Sequence, residues 1–236
     1  MRIVSLCPSI TETLVSLGLL DSLVGVTRYC IHPREALAGI PRVGGTKNPE
    51  LAAIRALKPD LVFCNGEENR REDIDLLKKE FRVDVSHPRT VGEIPALLRH
   101  FGEMTGREEE GRKISSKVEG ALERAEAGLR GGLAASAPPR FRYVYLIWKD
   151  PWMTVGPRTY VADLLRRVGG SSSFEEKTLS ESPSESDYPT FKEFEILAAS
   201  PDVVVLPDEP YRFRQEHAQY FRQRLPSSRV VLVSGD

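Results

Sequence analysis

Short apolar runs of strand length alternate along this chain with stretches whose apolar residues recur at helical spacing. Ile3 to Leu6 is the first run. Ser9 and Glu12 then have the spacing of a capping box, opening a helix that stops near Gly18. Leu23 to Val26 predicts a second strand. Asn48 as cap and Pro49 in the first turn predict a helix running to about Leu57. Pro59 and Asp60 turn the chain into the strand Leu61 to Cys64, and a helix over Arg71 to Glu80 leads to a strand at Val83 to Val85. Strand and helix in alternation point to parallel βαβ units.

The pattern changes from Arg107 to Arg130, where Ile114, Val118, Ala121, Leu122, Ala125 and Leu129 keep helical spacing. Glu108, Glu109 and Glu110 suit the positive end of the helix dipole, and Gly131 with Gly132 ends the run. Such a helix reaches roughly 36 Å at 1.5 Å per residue, long enough to bridge two lobes. Beyond it the first half's logic restarts. Tyr143 to Trp148 predicts a strand, Tyr160 to Val168 a helix, and Ser171 to Asp187 a polar mobile stretch. Phe191 to Ala199 (helix), Val203 to Leu206 (strand), Phe213 to Arg224 (helix) and Val230 to Val233 (strand) complete the chain.

Two segments, "ALKPDLVFCN" and "AASPDVVVLPD", each read as a helix end, a Pro-Asp turn and a buried strand. They lie roughly 140 residues apart, the separation expected of a duplicated lobe. The fold expected is α/β: two Rossmann-like lobes with short parallel sheets, joined by a single long backbone helix, with a ligand cleft between them. The divisions are an N-terminal lobe over 1–106, a bridging helix over 107–132 and a C-terminal lobe over 133–236.

Composition narrows the function. A formal net charge of −1 with no basic run argues against nucleic acid. No apolar stretch reaches the roughly 18 residues of a membrane span. The chain begins directly on a strand, without an apolar leader, which places it in the cytoplasm as written, or in the periplasm or outside the cell if a leader has been removed. Three cysteines point to free thiols rather than a disulfide framework.

Open parallel sheets bind ligands beyond the carboxyl ends of their strands. The exits are Cys7 to Ser9, Arg28 to His32, Gly44 to Asn48 and Asn65 to Asn69 in the first half. In the second they are Trp148 to Trp152, Pro207 to Phe213 and Ser234 to Asp236. Aromatic side chains collect there or close by (Tyr29, Trp148, Trp152, Tyr188, Tyr211, Phe213), able either to wall a flat conjugated ligand or to pack a lobe interface. Lys47, Glu67, Glu68, Lys149, Glu209 and His217 supply charge. Cys30 and His32 offer a thiolate and an imidazole to a soft metal, although Cys7 and Cys64 suit small buried hydrophobes better. No nucleophile elbow, Walker loop or dinucleotide fingerprint occurs, so a binder is expected rather than an enzyme.

The segments "RIVSLCPSITETLVSLGLLDSLVGVTRYCIHP", "RVGGTKNPEL" and "ALKPDLVFCN", followed in order by "YLIWKDPWMTVG", "DYPTFKEFEILAASPDVVVL" and "EPYRFRQEH", resemble the class III, or helical-backbone metal receptor, solute-binding proteins of ABC importers, the cobalamin and iron-siderophore binding type. The resemblance covers nearly the whole chain. It implies a metal chelate as ligand (a corrinoid, a ferric siderophore or haem), no covalent cofactor and an ABC permease as partner. Tyr29 is placed against the ligand, with Lys47 and Asn65 flanking it, and Trp148, Tyr188 and Asp236 match cleft positions. Glu67, Glu209 and Tyr211 fall in motifs shared by close look-alikes, as do Cys30, His32 and Glu68. Where transporter-docking members carry a glutamate on each lobe this chain has Ala52 and Phe194, with Glu50, Glu193 and Glu195 as neighbouring substitutes. Two alternatives stand beside the chelate binder: direct metal-ion binding through Cys30 and His32, and an enzyme acting on a corrinoid.

Overall fold

The computed structural model describes residues 1–130, 139–175 and 187–234, the side chains of 129 and 130 excepted. The chain divides into two compact units, one of Met1–Pro88 with Glu93–Glu119, the other of Arg89–Gly92 with Gly120–Asp236.

The first unit contains β1 (Ile3–Ser5), α1 (Pro8–Ser16), β2 (Leu23–Val26), α2 (Leu51–Leu57), β3 (Leu61–Asn65), α3 (Arg71–Leu77), β4 (Arg82–Ser86) and α4 (Ile94–Thr105). It also holds the first part of α5 (Glu108–Arg130). Its four strands are parallel in the order β2-β1-β3-β4. Strand alternation explains why the apolar runs are continuous. Ile3, Leu61 and Phe63 face one layer with Ile10, Leu14 and Leu17 of α1 and Phe101 of α4. Val4, Leu6, Val62 and Cys64 face the other, with Ile54 of α2 and Ile74 and Leu77 of α3. Both sheet faces are covered, as a doubly wound sheet requires.

The second unit contains β5 (Phe141–Trp148), β6 (Trp152–Thr154), α6 (Tyr160–Arg166), β7 (Gly170–Ser172), β8 (Thr190–Phe191), α7 (Glu193–Ala198), β9 (Val203–Pro207), α8 (Gln215–Arg224) and β10 (Arg229–Val233). Strands β7, β5, β9 and β10 are parallel neighbours in that order. Here β5 stands where β1 does, β7 for β2, β9 for β3 and β10 for β4. The duplication extends to single bonds. Asp60 accepts the Arg2 N–H at 2.6 Å and returns its own N–H to the Arg2 carbonyl at 2.8 Å. Asp202 does the same with Arg142, at 2.6 and 2.9 Å. What the second unit adds is an antiparallel extension, β6 on β5 and β8 on β6.

Several local expectations are corrected. Helix α1 begins at Pro8 with Cys7 as its cap, and no side chain caps it, so Ser9 and Glu12 form no capping box. Pro8 supplies the start instead, its fixed φ suiting the first turn. Helix α2 starts at Leu51, not after Asn48, because Gly45 and Glu50 give their N–H groups to the carbonyls of Asn48 and Val43 and close a turn there. Helix α4 is not among the expected elements, although Pro95 at its start, buried Leu98 and Phe101, and Gly106 at its end mark it. Gly106 takes φ of 70°, the left-handed cap that lets α5 follow at once. The segment Lys149 to Pro151 is the turn of the β5–β6 hairpin, and Ser171 begins within β7. Gly131 and Gly132, most of the Ser171 to Asp187 stretch, and Asp236 lie outside the described residues.

Candidate functional site

In the first unit one buried amide organises the strand exits. Asn69, 4% exposed, donates from Nδ2 to the Leu6 carbonyl at 3.0 Å and the Thr46 carbonyl at 2.9 Å, while its Oδ1 accepts the Asn65 N–H at 2.8 Å. The ends of β1 and β3 and the Gly44 to Asn48 loop are thereby tied to one side chain. Asn65 then builds the next turn, its Oδ1 accepting the N–H groups of Glu67 at 2.9 Å and Glu68 at 3.0 Å. Lys47 donates its ammonium to the Glu67 carbonyl, and the Glu67 carboxylate lies 3.4 Å from His87 Nε2. Lys47, Asn65 and Glu67 are thus brought together.

Tyr29 is 52% exposed at the end of the β2 exit. Its ring lies against Gly45, where an added Cβ would stand 3.2 Å from Cε2 and 2.4 Å from Asn48 Oδ1. The Arg28 guanidinium is 5.2 Å from the ring centre and donates to Asn48 Oδ1 at 3.3 Å. Arg42 secures the same loop from below, donating to the carbonyls of Thr27, Cys30 and Leu37 at 3.2, 2.8 and 3.1 Å.

The thiols are structural. Cys30 is fully buried, its Sγ accepting from Thr11 Oγ1 at 3.1 Å and 3.1 Å from Thr27 Oγ1. His32 is exposed. The loop turns the Cys30 thiol into the core and leaves the His32 imidazole at the surface. Among the described residues no group of three or more His, Cys, Asp or Glu side chains is placed to hold a metal ion. Burial pushes the Cys7 thiol up and the Cys64 thiol up to about 12, so both are protonated and unreactive at neutral pH.

The second unit finishes its exits with rings. Trp148, 41% exposed, meets Tyr211 edge to face at 5.6 Å. Tyr211 leans on Phe213 at 4.7 Å, and Phe213 stacks on Trp152 at 6.5 Å with planes 7° apart. His217 holds this row from behind. Its Nδ1 accepts the Arg214 N–H at 2.9 Å, and its ring abuts Tyr211 and Phe213 at 5.7 and 5.4 Å. Trp152 is only 9% exposed and packs with Val144, Leu206 and Phe221, so it belongs to the core more than to a ligand wall. Its uncovered edge faces a cavity of about 380 Å³ that Lys149, His217 and Tyr220 also line.

Tyr188 is half-buried. Its neighbours Asp187 and Pro189 give their carbonyls to Gly156 N–H at 2.7 Å and Thr154 N–H at 3.0 Å, which fixes the backbone on either side of the ring. Arg89 and Arg158 flank the Asp187 carboxylate. Burial raises that carboxyl's pKa, but the two guanidiniums outweigh it and hold it below the usual carboxylate range. Glu209 is exposed. The positions matched to transporter docking, Ala52 and Phe194, are both exposed, and Glu193 and Glu195 are engaged by Tyr220 and by the Lys192 N–H. Asn69, Arg42 and His217 brace these exits; of the three only His217 stands among the candidate charges, and Arg42 is not among the expected residues. Their signal in the sequence is only adjacency to an exit.

Two α/β units, each built on four parallel strands in one order, define the class of this protein. The chain matches the periplasmic binding protein family over residues 3–230 and belongs to it. It is 27% identical over 218 residues to the vitamin B12-binding protein of Vibrio cholerae serotype O1, covering 92% of this chain and 71% of that one. To the vitamin B12-binding protein of Pectobacterium carotovorum it is 24% identical over 237 residues, covering 100% and 80%. Among solved structures, the periplasmic vitamin B12 binding protein of Vibrio cholerae superposes with a TM-score of 0.79 at 24% identity, covering 98% and 87%. A periplasmic heme-binding protein from Roseiflexus superposes with a TM-score of 0.80 at 19% identity, covering 99% and 89%. These structural likenesses establish the fold. Among the described residues no helix is long and apolar enough to cross a membrane.

Proposed function

We propose that this chain binds a metal chelate, a corrinoid or an iron complex such as haem or a ferric siderophore, and delivers it to an ABC importer. The observation that carries this reading is the pair of large rings left open at strand exits, Tyr29 in the first unit and Trp148 in the second. Apolar rings of that size normally seek burial, and both are held in place by neighbours at their backs rather than covered. Gly45 and Arg28 support the first, Tyr211 and Phe213 the second. Tyr188 adds a third ring, and Lys47, Asn65, Glu67, Glu209 and Tyr211 supply polar contacts at the rim. Relatives named for vitamin B12 and heme point to the same ligand class. The reading is one of binding, in keeping with the periplasmic binding protein family to which the chain belongs.

Titration of the purified chain with cobalamin, cobinamide, haemin and ferric siderophores, followed by visible absorbance, tests the proposal. A saturable spectral shift with one of them is expected. No shift with any member of the panel would falsify it.

A further inference from the structure

The second unit holds a cavity of about 520 Å³ at the carboxyl ends of β9 and β10, lined by Asp208, Arg212, Phe213, Arg214, Val233 and Ser234 among others. Phe213 is 3% exposed and anchored in the core. The backbone at Arg214 is extended, with φ of −135° and ψ of 174°. Arg212 and Arg214, on either side of Phe213, both line the cavity. Neither guanidinium is paired with a carboxylate among the described residues, whereas Arg55, Arg70 and Arg167 each hold one. Among the described residues that line it, these two cations face one carboxylate, that of Asp208. Two planar forks on one wall are suited to bidentate recognition of a carboxylate.

From this we infer that the cavity is an anionic subsite, and that the ligand is a chelate carrying peripheral carboxylates which Arg212 and Arg214 grasp. The inference rests on the chelate reading and narrows it, favouring carboxylate-bearing porphyrins or siderophores over amide-bearing corrinoids. Because the cavity opens where two parallel strands end, the carboxylates would be read at the same exits as the aromatic contacts.

The test compares haemin with its dimethyl ester, which removes the carboxylate charge and leaves the ring, on the full chain and on its R212Q/R214Q variant. Visible absorbance reports binding, and cobalamin is titrated in parallel. The full chain should prefer haemin by about tenfold or more, the size of charge-assisted hydrogen bonds to a carboxylate. The variant should lose that preference while still binding the ester as the full chain does. Equal affinity for acid and ester, a preference that survives in the variant, or uptake of cobalamin alone would overturn the anionic subsite and leave the chelate reading standing. Failure of every chelate would overturn both.

Discussion

Asp60 clasps Arg2 in the first unit by two backbone-anchored bonds, and Asp202 clasps Arg142 in the second by the same two. The four parallel strands behind these turns share one order. At the opposite ends of those strands the likeness stops. The first unit ties its exits with amides, Asn69 and Asn65, and offers one open ring, Tyr29. The second ties its exits with a row of rings running from Trp148 to Trp152, backed by His217. At the amino ends of the strands, a turn that satisfies two backbone groups works equally well in both copies. At the carboxyl ends each unit supplies a different chemistry.

The comparison can be broken or sharpened experimentally. Trp152→Ala removes a core ring and should cost about 3–5 kcal/mol in urea unfolding. A loss under 1 kcal/mol would mean that Trp152 belongs with Trp148 rather than with the core. Asn69→Leu leaves two carbonyls and one N–H without their partner and should cost about 3 kcal/mol. Asp60→Ala and Asp202→Ala should each cost about 1.5–3 kcal/mol, by similar amounts, since each removes one charge-assisted bond to the chain. Costs differing severalfold would show that the shared turn is geometric only.

Gly45→Ala pushes a methyl group toward Asn48 Oδ1 and the Tyr29 ring, at about 1–3 kcal/mol of crowding. Its effect should fall on chelate affinity more than on the unfolding midpoint. The smallest effect concerns pH. The Cys64 thiol and the Tyr143 phenol are pushed up to about 12 by burial, from ordinary values of 9.0 and 10.0. Above pH 9 the unfolded chain releases these protons while the folded chain keeps them. Their contribution to stability is therefore complete below pH 9 and is lost as pH climbs toward 12. Urea midpoints measured from about pH 8 to about pH 10.5 should fall, and less steeply in Cys64→Ala.

Much of this molecule is legible in its residues. Apolar runs bounded by turns locate β1 to β5, β9 and β10, because a strand covered on both faces must be apolar throughout, while the short polar β7 has no such signal. The paired Pro-Asp segments disclose the duplication, and the long acid-capped run from Glu108 discloses α5. Knowing that ligands gather beyond strand ends brings Tyr29, Lys47, Asn65, Glu67 and Trp148 forward together. Helix starts are less legible. Cys7 and Glu50 occupy cap positions without side-chain capping bonds, since Pro8 begins one helix and a backbone turn closes before the other.

What the sequence by itself determined, then, is where β1 to β5, β9 and β10 run, that two sheets repeat, and which loops leave the strand ends, because all three follow from local periodicity and turn residues; the short β6, β7 and β8 carry no such apolar run. Only the tertiary structure decided which members of those loops face outward. Trp148 and Trp152 are equivalent in composition, but the β5–β6 hairpin leaves one open and sinks the other into the core. Cys30 and His32 are two apart, but the loop seals the thiol under Thr11 and Thr27. Asn69 ties three segments that are distant along the chain. The physical reason is common to all of these: burial and hydrogen-bond partnership belong to the packed neighbourhood, and the neighbours come from elsewhere in the sequence.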